Sequence, residues 1–377
     1  MRELRIGFVG SGGMVATHGQ RLMRLRRDAG ESVRIVGIHA RNAGKAGAVA
    51  ENIVKEEPSH GGIGYYADFD ALLAENLDAL FVCLPPDAPV PYCVRAAERG
   101  VALFLEKPIA LDVPGAEAVV DAVEKAGVRS QVGYHMRFRA AVRRMKSLVE
   151  TGEAGRGTLF TGRFYTNFRG PEWWADGSRS GGQIHEQVIH IYDLALHLFG
   201  AATTASGFVA NLVHGNDPTY TVEDTSLGTV RFASGAVASI AGSNAAVPNR
   251  FMPDFRVVCE RASLEYRSTG DGRDKNTATV FTHAGPMAGA ATAEEFVETE
   301  DPYLLQAERF LRVLRGDADE FAPAREGLDG IRVVAAVKES AKQNGVPVAV
   351  TLDDKSASRV LRSSSKGRRF PIAPSGR

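Results

Sequence analysis

Through the first 135 residues, short apolar runs alternate with helical segments, and this alternation restricts the fold more than any other feature of the chain. Strand patterns read at Leu4–Val9, Val33–His39, 79–84, Ala102–Leu105 and 130–134. Helical patterns fill the gaps at 16–28, Ala43–Val54, 68–75, 88–99 and 114–126. Gly100 and Gly127 stand where a helix C-terminus favours glycine. Alternation of this kind predicts βαβ units and a parallel sheet.

After residue 134 the pattern changes. A helix is predicted at 140–151, a strand at Gly157–Asn167 and a long helix at 183–199. A hairpin signal, Ala233-Ser234-Gly235-Ala236, separates Thr225–Phe232 from 237–243. Strand patterns continue at 257–267 and 278–283, and helices at 303–315 and 327–344 close the fold. The 377 residues exceed one ordinary core and predict two domains. Lys+Arg and Asp+Glu are equal at 45 each, which favours neither nucleic acid nor an anionic membrane as partner. The first apolar run, Ile6 to Val9, is too short for a signal peptide, and no stretch approaches a membrane span. The three cysteines, Cys83, Cys93 and Cys259, have no metal-ligand spacing and read as reduced thiols. A cytoplasmic location is expected.

The first strand runs into Gly10-Ser11-Gly12-Gly13-Met14-Val15. Glycines there allow a tight turn and a close backbone approach to a pyrophosphate, which the next helix faces with its N-terminal N–H groups. Val15 replaces the third glycine of the fingerprint, and weaker strand–helix packing is expected at that point. The second strand should end at an acid that holds the ribose hydroxyls. It ends instead at Ala40-Arg41-Asn42, and a guanidinium suits a 2′-phosphate, so NADP is expected over NAD. Candidate cofactor contacts are Gly10, Ser11, Gly12, Gly13, Met14, Arg41, Pro85, Glu106 and Lys107. The fold class expected is therefore α/β: an N-terminal Rossmann dinucleotide-binding domain over 1–135, then an α+β domain over 136–354 on a mainly antiparallel open sheet. A basic, Ser-rich tail over 355–377 is expected to be mobile.

Lys107 ends the apolar run from Val101 and sits in Glu106-Lys107-Pro108. Ligands of open α/β sheets bind outside the carboxyl ends of strands, so this lysine is placed where chemistry occurs. Pro108 permits a cis peptide at modest cost. Further on, Glu186, His190 and Asp193 fall on one face of an otherwise apolar helix. A carboxylate beside an imidazole raises its basicity and orients it, making His190 a candidate general base held by Glu186. Asp193 either contacts substrate or anchors the helix. His185 and His190 are five apart, so they diverge by roughly 140° around a helix and no metal site is expected.

The Gly10–Val15 loop with His18 after it, the Glu106-Lys107-Pro108 triplet, the segment from Gly133 to Phe138 and the helix from Gly181 to Asp193 together resemble the Gfo/Idh/MocA oxidoreductases. The resemblance spans roughly residues 4 to 350. It implies a nicotinamide cofactor, a sugar or cyclitol substrate, and homodimers or homotetramers formed through the open sheet. By position Lys107 and His190 match the family's catalytic lysine and histidine. Glu186 stands where the family often has Asp, and Val188 replaces a glycine, a change expected to narrow the substrate pocket. Tyr134, His135, Arg137, Asn167, Arg169, Trp173, Trp174 and Asp193 are the candidate substrate contacts.

An NAD(P)-dependent oxidoreductase on a polyol is the leading expectation. Its rivals are a glycoside hydrolase of the same family that oxidises its substrate transiently, and a non-catalytic nucleotide sensor. Retention of Lys107, Glu186 and His190 argues against the sensor.

Overall fold

A computed structural model describes residues 2–268, 276–285 and 287–350. The basic tail lies outside them. The first half forms a six-stranded sheet in the order β3-β2-β1-β4-β5-β6. Its strands are β1 (Leu4–Val9), β2 (Val33–His39), β3 (Gly64–Tyr66), β4 (Ala79–Val82), β5 (Ala102–Leu105) and β6 (Ser130–Val132). Every pairing is parallel. Helices α1 (Gly13–Ala29), α2 (Ala43–Val54), α3 (Phe69–Leu73), α4 (Val90–Glu98) and α5 (Val113–Ala126) connect them. All residues of β4 and β5 are buried, as their unbroken apolar runs require. The strand order reverses between β1 and β4, the switch point at which such sheets bind ligands. β4 stops two residues short of expectation, after which Cys83 donates to the Val9 carbonyl at 2.9 Å and the chain turns away through Pro85. β3, an edge strand of three residues, gave no alternation to read.

The second half begins with α6 (Ala140–Glu150) and β7 (Gly157–Asn167), then two single-turn helices, α7 (Glu172–Ala175) and α8 (Gly177–Ser180). A π-helical turn, Ile184–Val188, leads into α9 (Ile189–Phe199), where the sequence predicts one continuous helix. There follow β8 (Ala202–Ala210), β9 (Thr225–Phe232), β10 (Val237–Pro248), β11 (Met252–Cys259), β12 (Ala262–Arg267), β13 (Thr277–His283) and β14 (Ala291–Val297). After α10 (Pro302–Arg315) and α11 (Ala324–Lys342), a short β15 (Val348–Ala349) closes the fold. The nine strands run β14-β13-β12-β11-β7-β10-β9-β8-β15, and only β7 and β10 pair in parallel. The single strand expected at 257–267 is a hairpin: β11 and β12 pair antiparallel, with Val258 opposite Ser263 across a turn at Glu260 and Arg261. β8 is rich in Ala, Ser and Gly and β14 is exposed and acidic, so neither carried a strand pattern.

Two packing facts differ from expectation. Val15 does not loosen the first helix, because it is fully buried in the core with Phe8, Leu22 and Ile38. The helix α10, expected to belong to the second domain, returns to the first. Ala307, Phe310 and Leu311 join the core of β1, β2 and β4, and the Phe310 ring meets Phe81 and Phe104 edge-on at 5.7 and 5.5 Å.

Candidate active site

The carboxyl ends of β1, β4 and β5 open on one cleft of about 1490 Å³ that runs between the two halves. Gly10, Ser11, Gly12, Gly13 and Met14 line it, with Arg41, Pro85, Glu106 and Lys107. Gly10 has a φ of +117°, and a Cβ there would lie 2.3 Å from the Cys83 carbonyl oxygen, so only glycine fits where the two strand ends approach. A Cβ on Gly12 or Gly13 would meet nothing within 4 Å, because both face open space. The α1 N-terminus beside them has no side-chain cap and no acid in its first turn. Uncapped amides with positive dipole charge over open space suit a phosphate. Among the described residues Arg41 has no side-chain partner, and Arg24 and Lys45, which the sequence reading passed over, line the cleft with it.

Lys107 follows β5 and Glu106, and its own peptide to Pro108 is cis. Its Nζ donates to the Glu186 carbonyl at 2.6 Å and to Glu186 Oε1 at 2.5 Å. Glu186 Oε2 accepts from Trp174 Nε1 at 3.0 Å. Both carboxylate oxygens are thus engaged away from His190, and the expectation that Glu186 orients His190 is corrected. An ammonium ion attracts a carboxylate more strongly than a neutral imidazole does. The π turn that carries Glu186 is set by Gly182, whose φ is +94° and whose Cβ would lie 2.1 Å from Glu223 Oε2. Glu223 in turn accepts from the Ile184 N–H.

His190 is buried at the cleft wall, and among the described residues its Nδ1 has no hydrogen-bond partner. Burial, then His135 and Lys107, hold its imidazole well below the usual histidine value. The His135 ring stands edge-on to it at 4.7 Å and stacks on Tyr303 at 4.5 Å. Burial, then Arg139, Lys107 and His18, push His135 down to about 3. Below this layer His18 Nε2 lies 2.6 Å from Glu106 Oε1, a buried pair that ties α1 to β5. Tyr303, Arg139 and the salt bridge of Arg179 with Asp87 at 2.8 Å are further cleft groups that sequence reading missed. Their positions become adjacent only through the tertiary fold.

Of the expected substrate contacts, His135 and Trp173 line the cleft. The others do not. Arg137 and Asp193 are buried and paired: Nε donates to Oδ2 at 2.9 Å, Nη2 bonds Oδ1, and Nη1 bonds Glu326. Tyr134 is buried beneath the Arg137 guanidinium. Trp174 is buried and serves Glu186. Arg169 turns outward to Asp217 and Thr219, and Asn167 is absent from the lining. These side chains lie near the site in sequence but are drawn into core or surface pairs. Val188 does not narrow the pocket, because it is fully buried against Gly242.

His135, His185, His190 and His197 all have their imidazoles lowered, with burial the largest cause. A lowered folded value means that the unfolded chain binds protons the folded chain refuses. Their contribution is therefore present above the ordinary value of 6.5 and lost as pH falls below it. The thermal midpoint is expected to be level from pH 8 to about 7 and to fall steadily towards pH 5. A midpoint that rose with acidity in a pH series of melting curves would contradict the neutral assignment.

Two models of one oxidoreductase family match the chain. The first, described as the oxidoreductase family with NAD-binding Rossmann fold, covers residues 4–134. The second, the GFO/IDH/MocA C-terminal domain, covers 142–265. The chain is 30% identical over 176 residues to a scyllo-inositol 2-dehydrogenase (NAD(+)) of Bacillus subtilis, 46% of this chain and 51% of that one. It is 27% identical over 322 residues to D-xylose 1-dehydrogenase (NADP(+)) 2 of Haloferax volcanii, 84% of this chain and 91% of that one. The solved structure of an oxidoreductase domain protein from Kribbella flavida superposes with a TM-score of 0.81 at 21% identity, covering 93% of this chain and all of that one, and so shares the fold.

Proposed function

Since the chain belongs to the GFO/IDH/MocA family of oxidoreductases, we propose that the cleft binds a nicotinamide nucleotide along Gly10–Gly13 and a polyol between Lys107 and His190. The protein is an NAD(P)-dependent oxidoreductase of sugars, cyclitols or related polyols. One observation carries the site reading: Lys107 and His190 line the same cleft as the glycine loop. The nucleotide, when bound, supplies the hydride acceptor or donor. Lys107, fixed by two bonds to Glu186, donates a hydrogen bond to the reacting oxygen and stabilises charge developing on it. His190, neutral because burial disfavours its cation, takes the hydroxyl proton in oxidation and returns it in reduction. Glu186 positions the lysine rather than the histidine.

NADP is the nucleotide favoured in this reading. Its support is Arg41, unpartnered among the described residues, with Arg24 and Lys45 lining the same cleft and no acid at the end of β2. Arg41→Ala is expected to raise the KM for NADP about tenfold or more and to leave that for NAD within about twofold. Equal effects on both would sink the preference. A homodimer or homotetramer is favoured by the bare face of the second sheet. There Phe208 lies opposite Leu227, and Leu159 opposite Val237 and Val258, all exposed. Light scattering tests this directly. A cytoplasmic location is favoured by the three free, buried thiols.

The primary experiment is mass spectrometry of nucleotide released from the denatured purified protein, followed by a polyol and sugar screen at nicotinamide absorbance. Bound or titratable nucleotide with turnover is the expected result. Failure of both nucleotides to bind would overturn the reading.

A further inference from the structure

We propose that Arg139 binds an anionic oxygen group on the substrate, so that the polyol handled here is an acidic sugar. This rests on the polyol reading above and adds the class of sugar. Arg139 follows the 3-10 turn His135–Phe138 and precedes α6. It lines the cleft beside His135, Met136, Asp301 and Tyr303.

The side chain is partly buried, and its Nε and Nη1 are shielded from solvent and, among the described residues, have no hydrogen-bond partner. A guanidinium keeps its charge and offers five donors, and leaving it desolvated and unpaired is unfavourable. The nearby acids do not neutralise it. Glu298 accepts from the Ala140 and Ala141 N–H groups at 2.9 and 3.0 Å. Glu300 pairs with Arg143. Asp301 pairs with Arg21 at 3.0 Å and caps α10.

The nucleotide has its own cationic and amide contacts at Gly10–Gly13 and Arg41, which leaves Arg139 for the second ligand. His135 joins it to the reaction centre: that ring stands beside His190 and is depressed by both Arg139 and Lys107. A carboxylate and a phosphate present the same chemistry to it, paired anionic oxygens that match a planar fork.

The test is calorimetry on the nucleotide-loaded protein with D-glucuronate, D-glucose 6-phosphate and D-glucose as probes, on the parent protein, Arg139→Met and Arg139→Lys. At least one acidic probe is expected to bind about tenfold or more tightly than glucose, and Arg139→Met to abolish that advantage. Whichever acid leads identifies carboxylate or phosphate. The ligand-free melting point of Arg139→Met is expected to be no lower than the parent's, since an unpaired charge is removed, so lost affinity is not lost folding. If that variant folds poorly, Arg139→Lys carries the test through a fall in acid affinity with glucose unchanged. Equal binding of acids and glucose, or an advantage that survives Arg139→Met, overturns the inference. Turnover is read separately: acid binding without nicotinamide reduction sinks the dehydrogenase reading alone, and reduction by neutral sugars without acidic preference sinks the Arg139 inference alone.

Discussion

Replacing Lys107 by methionine is expected to lower kcat by about 10³-fold or more while leaving the nucleotide affinity within about twofold. Methionine keeps the length and loses the charge. The ammonium is the group proposed to donate to the reacting oxygen, and among the described residues no other cation is bonded to Glu186. In this reading the phosphates are held by the α1 N-terminal amides at Gly10–Gly13, which the substitution leaves in place. The lysine and its partner are mostly buried, at 13% and 17% exposure, so some loss of stability accompanies the loss of rate and is read by melting the variant beside the parent. Glu186 also keeps its bond from Trp174. Single-turnover kinetics beside nucleotide titration separate the two effects. Turnover within about tenfold of the parent protein would remove Lys107 from the reaction.

The second large effect concerns stability rather than rate. Arg137→Ala is expected to cost about 3–5 kcal/mol, a large fraction of a typical domain's total. Arg137 and Asp193 are both only 2% exposed, and the guanidinium also bonds Glu326 and lies 5.3 Å from the Tyr134 ring centroid. Removing it strands a buried carboxylate. Burial already pushes Asp193 up to about 6, against the lowering by Arg137, so without the guanidinium the carboxyl takes up a proton near neutral pH. Urea unfolding measures the loss. A shift under about 1 kcal/mol together with a raised substrate KM would restore Arg137 to substrate binding.

The parallel sheet was legible because its strands are buried on both faces and read as unbroken apolar runs, and because glycine marks the helix ends. The edges were not: β3 is three residues long, and β14 is exposed and acidic. The positions of Lys107, His190 and the glycine loop followed from strand ends and helix spacing. The partnerships did not. Helical spacing puts Glu186 and His190 on neighbouring positions, but it says nothing of a lysine 79 residues earlier that reaches Glu186 first. Nor does it distinguish an aspartate facing a cleft from one facing an arginine 56 residues away. Pairing across the cleft is decided by which charge is nearest, and that is a property of the folded chain.

The return of α10 to the first sheet means that the nucleotide-binding half is not an interchangeable module. A fragment cut at residue 135 would expose the Phe81 and Phe104 rings that Phe310 now covers. It would present water with an aromatic scar on one face of its sheet. Transplanting this half onto another catalytic domain therefore calls for a graft of two separate stretches, the first about 135 residues and the helix some 170 positions later. Recombination at the apparent boundary would yield chimaeras that bare this aromatic face and aggregate.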